Sequence, residues 1–233
     1  TGNAYSITIT DDSVAAAALN ALDGKTTVAI NASNITTLTG AAADLNTAYG
    51  SSGINNLGDE AITLSDTSLA VSVLNALDGH TSGSINASTI NTLTGAAADL
   101  NTAYTSGGIS NLGNEAVTLS DTNLAASVLN TLDGHTSGAI DASSINTLTG
   151  AAADLNTAYA ANGSSITGLG NEAATLADST LAVSVLNLLD GHTSGTINAA
   201  SINTLTGAAA DLNTAYTSGG ISNLGNEAVT LSD

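Results

Sequence analysis

Histidine can bind a metal ion or sense pH, and in this sequence it occurs at one recurring place. His80, His135 and His192 each follow a Leu-Asp-Gly run, and Lys25 stands at the matching place nearer the N-terminus. Equivalent residues of stacked repeats should lie about 10 Å apart, which is too far for two imidazoles to share one ion. We therefore expect these residues to be structural, as cations just beyond the C-terminal end of a helix.

Carboxylates are the second group that could do chemistry, because paired acids can hydrolyse glycosidic bonds. Three sets recur at equivalent places along the chain: Asp23, Asp78, Asp133 and Asp190; Asp44, Asp99, Asp154 and Asp211; Glu60, Glu115, Glu172 and Glu227. A catalytic site is normally one singular group of residues, whereas these acids are copied again and again, as solvated or capping residues would be. We therefore predict that the protein is not an enzyme and has no catalytic residues.

Calcium is the cofactor that so many hard oxygen ligands could bind. The sequence contains neither an EF-hand loop nor the Gly-Gly-x-Gly-x-Asp motif of calcium-binding β-rolls. The candidate metal ligands are Asp66, Asp121, Asp178 and Glu115. Diffuse screening of the acidic surface by cations is the alternative, and the sequence leaves both open.

The charge balance excludes several classes of partner. One Lys or Arg stands against 20 Asp and Glu, and the formal net charge at pH 7 is −19. Nucleic acids and anionic membrane surfaces are bound mainly through Lys and Arg, so we predict neither as a partner. The sequence has no apolar run long enough to span a membrane, and it has no cysteine for a disulfide framework. Divalent cations and glycans remain candidate partners, and glycan-acceptor triplets begin at Asn31, Asn34 and Asn86.

A long internal repeat organises all of these residues. The string GAAADLNTAY begins at Gly40, Gly95, Gly150 and Gly207, at an interval that is constant except for a small insertion before the last copy. We divide the single array 1–233 into the following repeats: 6–60, 61–115, 116–172, 173–227 and, as the start of a fifth, 228–233. Because such repeats bury their apolar faces against each other, we expect stability to come from stacking.

Each repeat divides into two strand-and-helix halves, and each half is about as long as one leucine-rich repeat. This predicts an α/β solenoid similar to leucine-rich repeats, with two coils in every repeat. A right-handed β-helix is the alternative fold. In the third repeat the first helix is predicted over Leu124–Asp133, with Gly134 in the left-handed conformation after it. The second helix is predicted to begin its apolar face at Leu148, with Thr149 as the N-cap.

Short alternating segments such as Ile62 to Leu64 and Ile85 to Ala87 are predicted to be strands. A polar residue follows each of these segments, and the row comprises Asp11, Asn34, Asp66, Thr89, Asp121, Ser144, Asp178, Ser201 and Asp233. Each of these side chains can hydrogen-bond nearby backbone amides, so we expect the row to close turns or cap helices.

The ends of the array look unfinished at the sequence level. Ile90–Asp121 and Ile202–Asp233 are identical in sequence, and the polar terminal repeats that usually end a solenoid are not evident. We therefore expect a segment of a longer array, or a unit that self-associates by stacking end to end.

The strings LNTLDG, GAAADLNTAY and GGISNLGNEAVTLSD resemble the tandem repeats of giant extracellular or cell-surface proteins of marine bacteria, cyanobacteria especially. AASVLNTLDG is also similar to repeats of cyanophage tail fibres. The resemblance implies an exported protein, extracellular or at the cell surface, that forms a rod or filament segment without enzymatic activity. A calcium-dependent adhesin or ligand-binding module and a phage tail-fibre segment are the alternatives.

Overall fold

The computed structural model describes residues 3–232, in which short strands and short helices alternate along the chain. The helices are α1 Ala16–Asp23, α2 Ala42–Gly50, α3 Val71–Asp78, α4 Ala97–Thr105, α5 Ala126–Asp133, α6 Ala152–Ala161, α7 Val183–Asp190 and α8 Ala209–Thr217. This alternation confirms the α/β repeat solenoid and contradicts the β-helix, which would contain no regular helices.

The strands are short and pair in parallel. They are β1 Ser13–Ala15, β2 Ile30–Asn31, β3 Thr37–Gly40, β4 Ile54–Asn55, β5 Ala61–Leu64, β6 Ser68–Ala70, β7 Ile85–Asn86, β8 Thr92–Gly95, β9 Ile109–Ser110, β10 Ala116–Leu119, β11 Asn123–Ala125, β12 Ile140–Asp141, β13 Thr147–Gly150, β14 Ile166–Thr167, β15 Ala173–Leu176, β16 Thr180–Ala182, β17 Ile197–Asn198, β18 Thr204–Gly207, β19 Ile221–Ser222 and β20 Ala228–Leu231. The strands predicted from Ile62 to Leu64 and from Ile85 to Ala87 are confirmed as β5 and β7.

The chain forms two compact units. The first comprises Thr1–Gly95 and Asp99–Ala116, and its five-stranded sheet has the order β1-β3-β5-β7-β9. Ser13 pairs with Thr37, and Thr37 pairs with Ala61, so one coil of the chain separates neighbouring strands. The helices recur at a longer interval than the strands. As a result, the strands of this sheet do not keep one place relative to the helices. Strand β1 is followed directly by α1, whereas β9 comes after α4.

The second unit comprises Ala96–Ala98 and Val117–Asp233 and has the same construction. Its strands pair in the orders β10-β12-β14, β11-β13-β15-β17-β19 and β16-β18-β20. In each unit two or three strands separate consecutive helices, where the sequence had suggested one strand for each helix.

The core consists of one apolar stripe from each strand and helix. Ala42, Leu45 and Ala48 form the inner face of α2, and Leu38 of β3 lies beside them, each at most 1% exposed. Their regular spacing places the three helical residues on one side of a 3.6-residue helix, and the many alanines allow close packing on the sheet. Aliphatic side chains therefore dominate this core, to which Tyr159 also belongs.

Three predicted helix ends are wrong. The first helix of the third repeat does not begin at Leu124, which lies in strand β11, but at Ala126 of α5. Leu148 and Thr149 belong to strand β13, and α6 begins after Ala151, whose methyl group cannot cap a helix. Gly134 follows α5 in the right-handed conformation, with φ of −74°, instead of the left-handed one. Leu148 is fully buried although it lies in a strand and not in a helix, because the alternation Thr-Leu-Thr matches the two-residue period of a sheet.

Candidate functional site

Three aspartates of the polar row, Asp66, Asp121 and Asp178, cap helices that lie one coil earlier in the chain. Asp66 Oδ2 accepts a hydrogen bond of 2.8 Å from the backbone N–H of Ala42, the first residue of α2. Asp178 accepts an equivalent bond of 2.8 Å from Ala152 of α6. A carboxylate at this place also opposes the positive end of the helix dipole. The predicted capping role is confirmed, but the aspartate caps the helix of another coil.

Asp121 has the same role, since its Oδ2 accepts a 2.8 Å bond from the N–H of Ala97 in α4. Asp233 lies outside the described residues. Three of the four calcium candidates are therefore capping residues, with one oxygen already bound to a backbone amide. Within residues 3–232 no group of three or more His, Cys, Asp or Glu is arranged to hold a metal ion.

Other members of the polar row bond to the backbone of an earlier coil. Thr89 Oγ1 donates to the carbonyl oxygen of Leu64 over 3.1 Å, and Ser201 Oγ donates to that of Leu176 over 2.8 Å. Asn34 Nδ2 likewise donates to the carbonyl oxygen of Ile9, one coil earlier, over 2.9 Å. These bonds connect coils, whereas the sequence had indicated local turns.

The fourth calcium candidate, Glu115, belongs to a set of buried glutamates. Glu60, Glu115 and Glu172 are each 1% exposed, although their recurrence had suggested a solvated or capping role. Glu60 Oε2 accepts 2.8 Å bonds from the backbone N–H of Gly58 and from the hydroxyl of Tyr49. Glu115 Oε2 accepts equivalent bonds from Gly113, at 2.8 Å, and from Tyr104, at 3.2 Å. The carboxylate therefore fixes the tight loop just before it.

The histidines pack on the tyrosines that end the preceding helices. His80 lies parallel to Tyr49, with ring centroids 5.9 Å apart and an angle of 6° between the planes. His192 meets Tyr159 at the same distance but with a tilt of 54°. Burial raises the pKa of Tyr49 well above its usual value, and the nearby Glu60 adds to the increase. Both rings serve coil-to-coil packing, which is consistent with the expected structural role.

Asparagine and aspartate side chains also connect successive helices. Asn20 Nδ2 of α1 donates to the carbonyl oxygen of Asp44 in α2 over 2.9 Å, one coil later. Asn187 of α7 makes the same bond of 3.0 Å to Asp211 of α8. At the C-terminal ends of the helices, Asp23 accepts a 2.7 Å bond from the hydroxyl of Ser51. Sequence analysis had not assigned these Asn residues a role.

The glycan-acceptor residues Asn31 and Asn86 end the short strands β2 and β7, and Asn34 lies in the turn after β2. Asn31 Oδ1 accepts bonds from the N–H of Ser33, at 3.2 Å, and from Asn56 Nδ2, at 2.8 Å. Asn86 makes the equivalent bonds with Ser88, at 3.1 Å, and Asn111, at 2.8 Å. Their side chains thus take part in coil-to-coil bonding as well.

The fold and these contacts define a class, the α/β repeat solenoid whose recurring polar residues connect one coil to the next. Comparison with models of protein families, with curated proteins and with solved structures found no match to this chain. Among residues 3–232, no helix combines the length and the apolar character needed to cross a membrane.

Proposed function

We propose that this protein is a non-enzymatic structural module of a repeat array, forming a rod or filament segment of an extracellular or cell-surface assembly. The observation that carries the proposal is the use of its recurring polar residues as connections between coils. The aspartate caps and the Asn bonds between helices use groups that a catalytic or binding site would need to keep accessible, and the buried glutamates hold the loops before them.

The last coil presents the same kind of surface that the earlier coils bury. Val229 and Leu231 of β20 are 46% and 59% exposed, whereas the equivalent Val117 and Leu119 of β10 are 1% and 3% exposed. The burial of Val117 and Leu119 shows that a following coil covers these apolar side chains, which supports the proposal that coils associate by stacking.

The acidic surface supports an environment rich in cations. With a net charge of −19, the chain repels itself unless counter-ions screen it. The proposed location outside the cell rests on the resemblance of the repeat strings to those of surface proteins. Calcium enters as a screening ion, because three of its four candidate ligands already cap helices.

Lengthening the array tests the proposal. Inserting one or two further copies of residues 61–115 after Glu115 adds whole repeats in register. We expect the thermal unfolding midpoint to rise with each copy, in millimolar calcium and in chelator alike, because stability grows with the number of stacked interfaces.

The matched control is the same insertion with its copy of Leu74 changed to Asp, which places a charge at a fully buried position and should abolish the gain. A midpoint that does not rise with added repeats, or that rises only with calcium, would contradict the proposal. Calcium-dependent binding on a glycan array would instead favour an adhesin.

A further inference from the structure

The loop after α6 contains Asn162-Gly163, the one place in the sequence where glycine directly follows asparagine. The backbone nitrogen of such a glycine can attack the side-chain amide carbon of the asparagine, and the amide nitrogen then leaves as ammonia. Water opens the resulting succinimide ring, so that aspartate or isoaspartate replaces the asparagine. Glycine favours this reaction because it has no Cβ atom to hinder the attacking nitrogen.

The fold requires glycine at this position and leaves the pair accessible to water. Gly163 has a φ of +85°, a conformation that residues with a side chain rarely adopt. A Cβ atom there would meet no other atom within 4 Å, so the backbone conformation and not crowding selects glycine. Asn162 and Gly163 are both exposed. The turn that closes this loop therefore carries the reactive pair as a consequence of its own geometry.

The other asparagines of the chain lack this combination. Each is followed by a residue with a side chain, which obstructs the attacking nitrogen. Asn20 and Asn187, for example, are followed by Ala21 and Leu188, and their amide groups donate to the backbone of the next helix. Asn162 is therefore chemically distinct from the asparagines that connect the coils.

The folded loop holds the two reacting groups apart. Asn162 Nδ2 donates to the carbonyl oxygen of Leu169 over 2.9 Å, and Asn162 Oδ1 accepts a 3.3 Å bond from the N–H of the same residue. The N–H of Gly163 donates to the carbonyl oxygen of Ile166 over 2.7 Å. The attack requires the nitrogen of Gly163 to lose its proton and to approach the amide carbon, so these bonds must break first.

The amide of Asn162 also lies next to a connection between two coils. Its partner Leu169 precedes Gly170, whose carbonyl oxygen accepts bonds from the N–H of Ser194, at 2.8 Å, and from the hydroxyl of Ser194, at 3.2 Å. A carboxylate at position 162 cannot donate to the carbonyl oxygen of Leu169 and repels it. Deamidation therefore loosens the backbone on which the next coil rests.

We infer that Asn162 is a site of spontaneous deamidation and that the hydrogen bonds of its own loop control the rate. The reaction proceeds from the locally open loop, so its rate follows the fraction of molecules in which the loop is open. Each event consumes one water molecule, releases one ammonia and adds one carboxylate beside the connection between two coils. The inference is independent of the proposed function, because it requires only the chemistry of this loop.

Ageing the whole chain at neutral pH tests this inference. Native chain and chain unfolded in urea are incubated at the same pH and temperature, and mass spectrometry of their peptides measures the change from amide to acid at each asparagine. In the unfolded chain we expect acid to accumulate at Asn162 before any other asparagine. In the native chain we expect the same site to react at least roughly tenfold more slowly, because the bonds of the loop must open first. Asn162→Gln is the control and should stay unmodified, because its longer side chain closes a ring less readily.

Two serines of the loop provide a matched pair of native variants. Ser164 Oγ donates to the carbonyl oxygen of Ala161 over 2.8 Å, whereas the hydroxyl of Ser165 makes no hydrogen bond within the described residues. We expect Ser164→Ala to speed the native reaction by roughly threefold to tenfold, and Ser165→Ala to leave its rate unchanged.

Three results would overturn the inference. Acid that accumulates first at another asparagine of the unfolded chain would show that Asn162 is not the reactive site. Equal rates at Asn162 in the native and the unfolded chain would show that the loop does not control the reaction. Equal rates in Ser164→Ala and Ser165→Ala would show that the bonds within the loop are not the barrier.

Discussion

The loops after α4 and after α6 occupy equivalent places in two repeats but close in different ways. In the loop after α4, Ser106 donates a 2.7 Å bond to Asp78 of the preceding helix and accepts a 3.0 Å bond from the N–H of Gly108. One hydroxyl therefore both closes the loop and connects it to the neighbouring coil.

The loop after α6 contains the insertion and closes on itself. Asn162 Nδ2 donates to the carbonyl oxygen of Leu169 over 2.9 Å, and the N–H of Gly163 donates to that of Ile166 over 2.7 Å. Ala161 stands at the second position after the helix tyrosine, where the serine lies in the other repeats. As a result Asp133 Oδ1 is buried without a hydrogen-bond partner among residues 3–232.

The tyrosines near the ends of α2 and α6 show a similar difference. Tyr49 donates a 2.8 Å bond to Glu60, whereas the hydroxyl of Tyr159 is buried and makes no hydrogen bond within the described residues. The insertion is thus tolerated because the loop forms its own backbone hydrogen bonds. In exchange, the side-chain hydrogen bonds of Asp133 and Tyr159 are lost. Repeats that share the string GAAADLNTAY can therefore differ in the bonds that connect their coils.

The largest effect is expected at Gly168, where the other repeats have Asn56, Asn111 and Asn223. Gly168 has a φ of +86°, and a Cβ atom there would lie 2.7 Å from the backbone nitrogen of Ser143. We expect Gly168→Asn to destabilise the protein by about 2–3 kcal/mol in urea unfolding. Asn111→Gly, the reciprocal change, should cost at most about 1 kcal/mol, since it loses one exposed bond. Equal effects of the two changes would show that the loops are equivalent.

The two tyrosines should respond differently to removal of the hydroxyl. Tyr49→Phe leaves the buried carboxylate of Glu60 with one donor fewer, and we expect a loss of about 1–2 kcal/mol in the free energy of unfolding. Tyr159→Phe removes a hydroxyl that makes no hydrogen bond within the described residues, so the change should be close to zero. A larger loss at Tyr159 than at Tyr49 would reverse the comparison.

A smaller effect is expected from the serine bond. Ser106→Ala should cost about 1 kcal/mol, because Asp78 loses its 2.7 Å partner. Asp133→Asn removes the charge from a carboxylate that already lacks this partner, and chemical denaturation should show unchanged or higher stability. A clear loss for Asp133→Asn would mean that its charge is compensated in another way.

Alkaline pH should give the most gradual effect. Burial raises the pKa of Tyr159 to about 12, with the charge of Glu172 adding to it, from the ordinary value of 10.0. The unfolded chain therefore releases this proton first as the pH rises, so stability is complete below pH 10 and decreases between pH 10 and about 12. Tyr159→Phe should flatten this decrease in unfolding measurements, and an unaltered slope would show that other groups cause it.

The sequence was sufficient for the repeat and the class of fold. Identical strings at a regular interval, alternating apolar segments and helical stripes of Leu and Ala are local patterns, and each determines an element without knowledge of its neighbours. The sequence also predicted that Asp66 closes a turn or caps a helix, because an Asp side chain accepts hydrogen bonds from backbone amides.

Only the tertiary structure decided which groups meet. Asp66 caps α2 and Asn20 bonds to Asp44 because stacking brings equivalent places of successive coils into contact. It also decided that Leu148 lies in a strand, since the short run Thr-Leu-Thr-Gly is compatible with the start of a helix until a parallel neighbour supplies its hydrogen bonds. Local sequence patterns specified the elements of each coil. The register between coils depends on partners distant in the chain, and this register determined which hydrogen bonds the polar residues make.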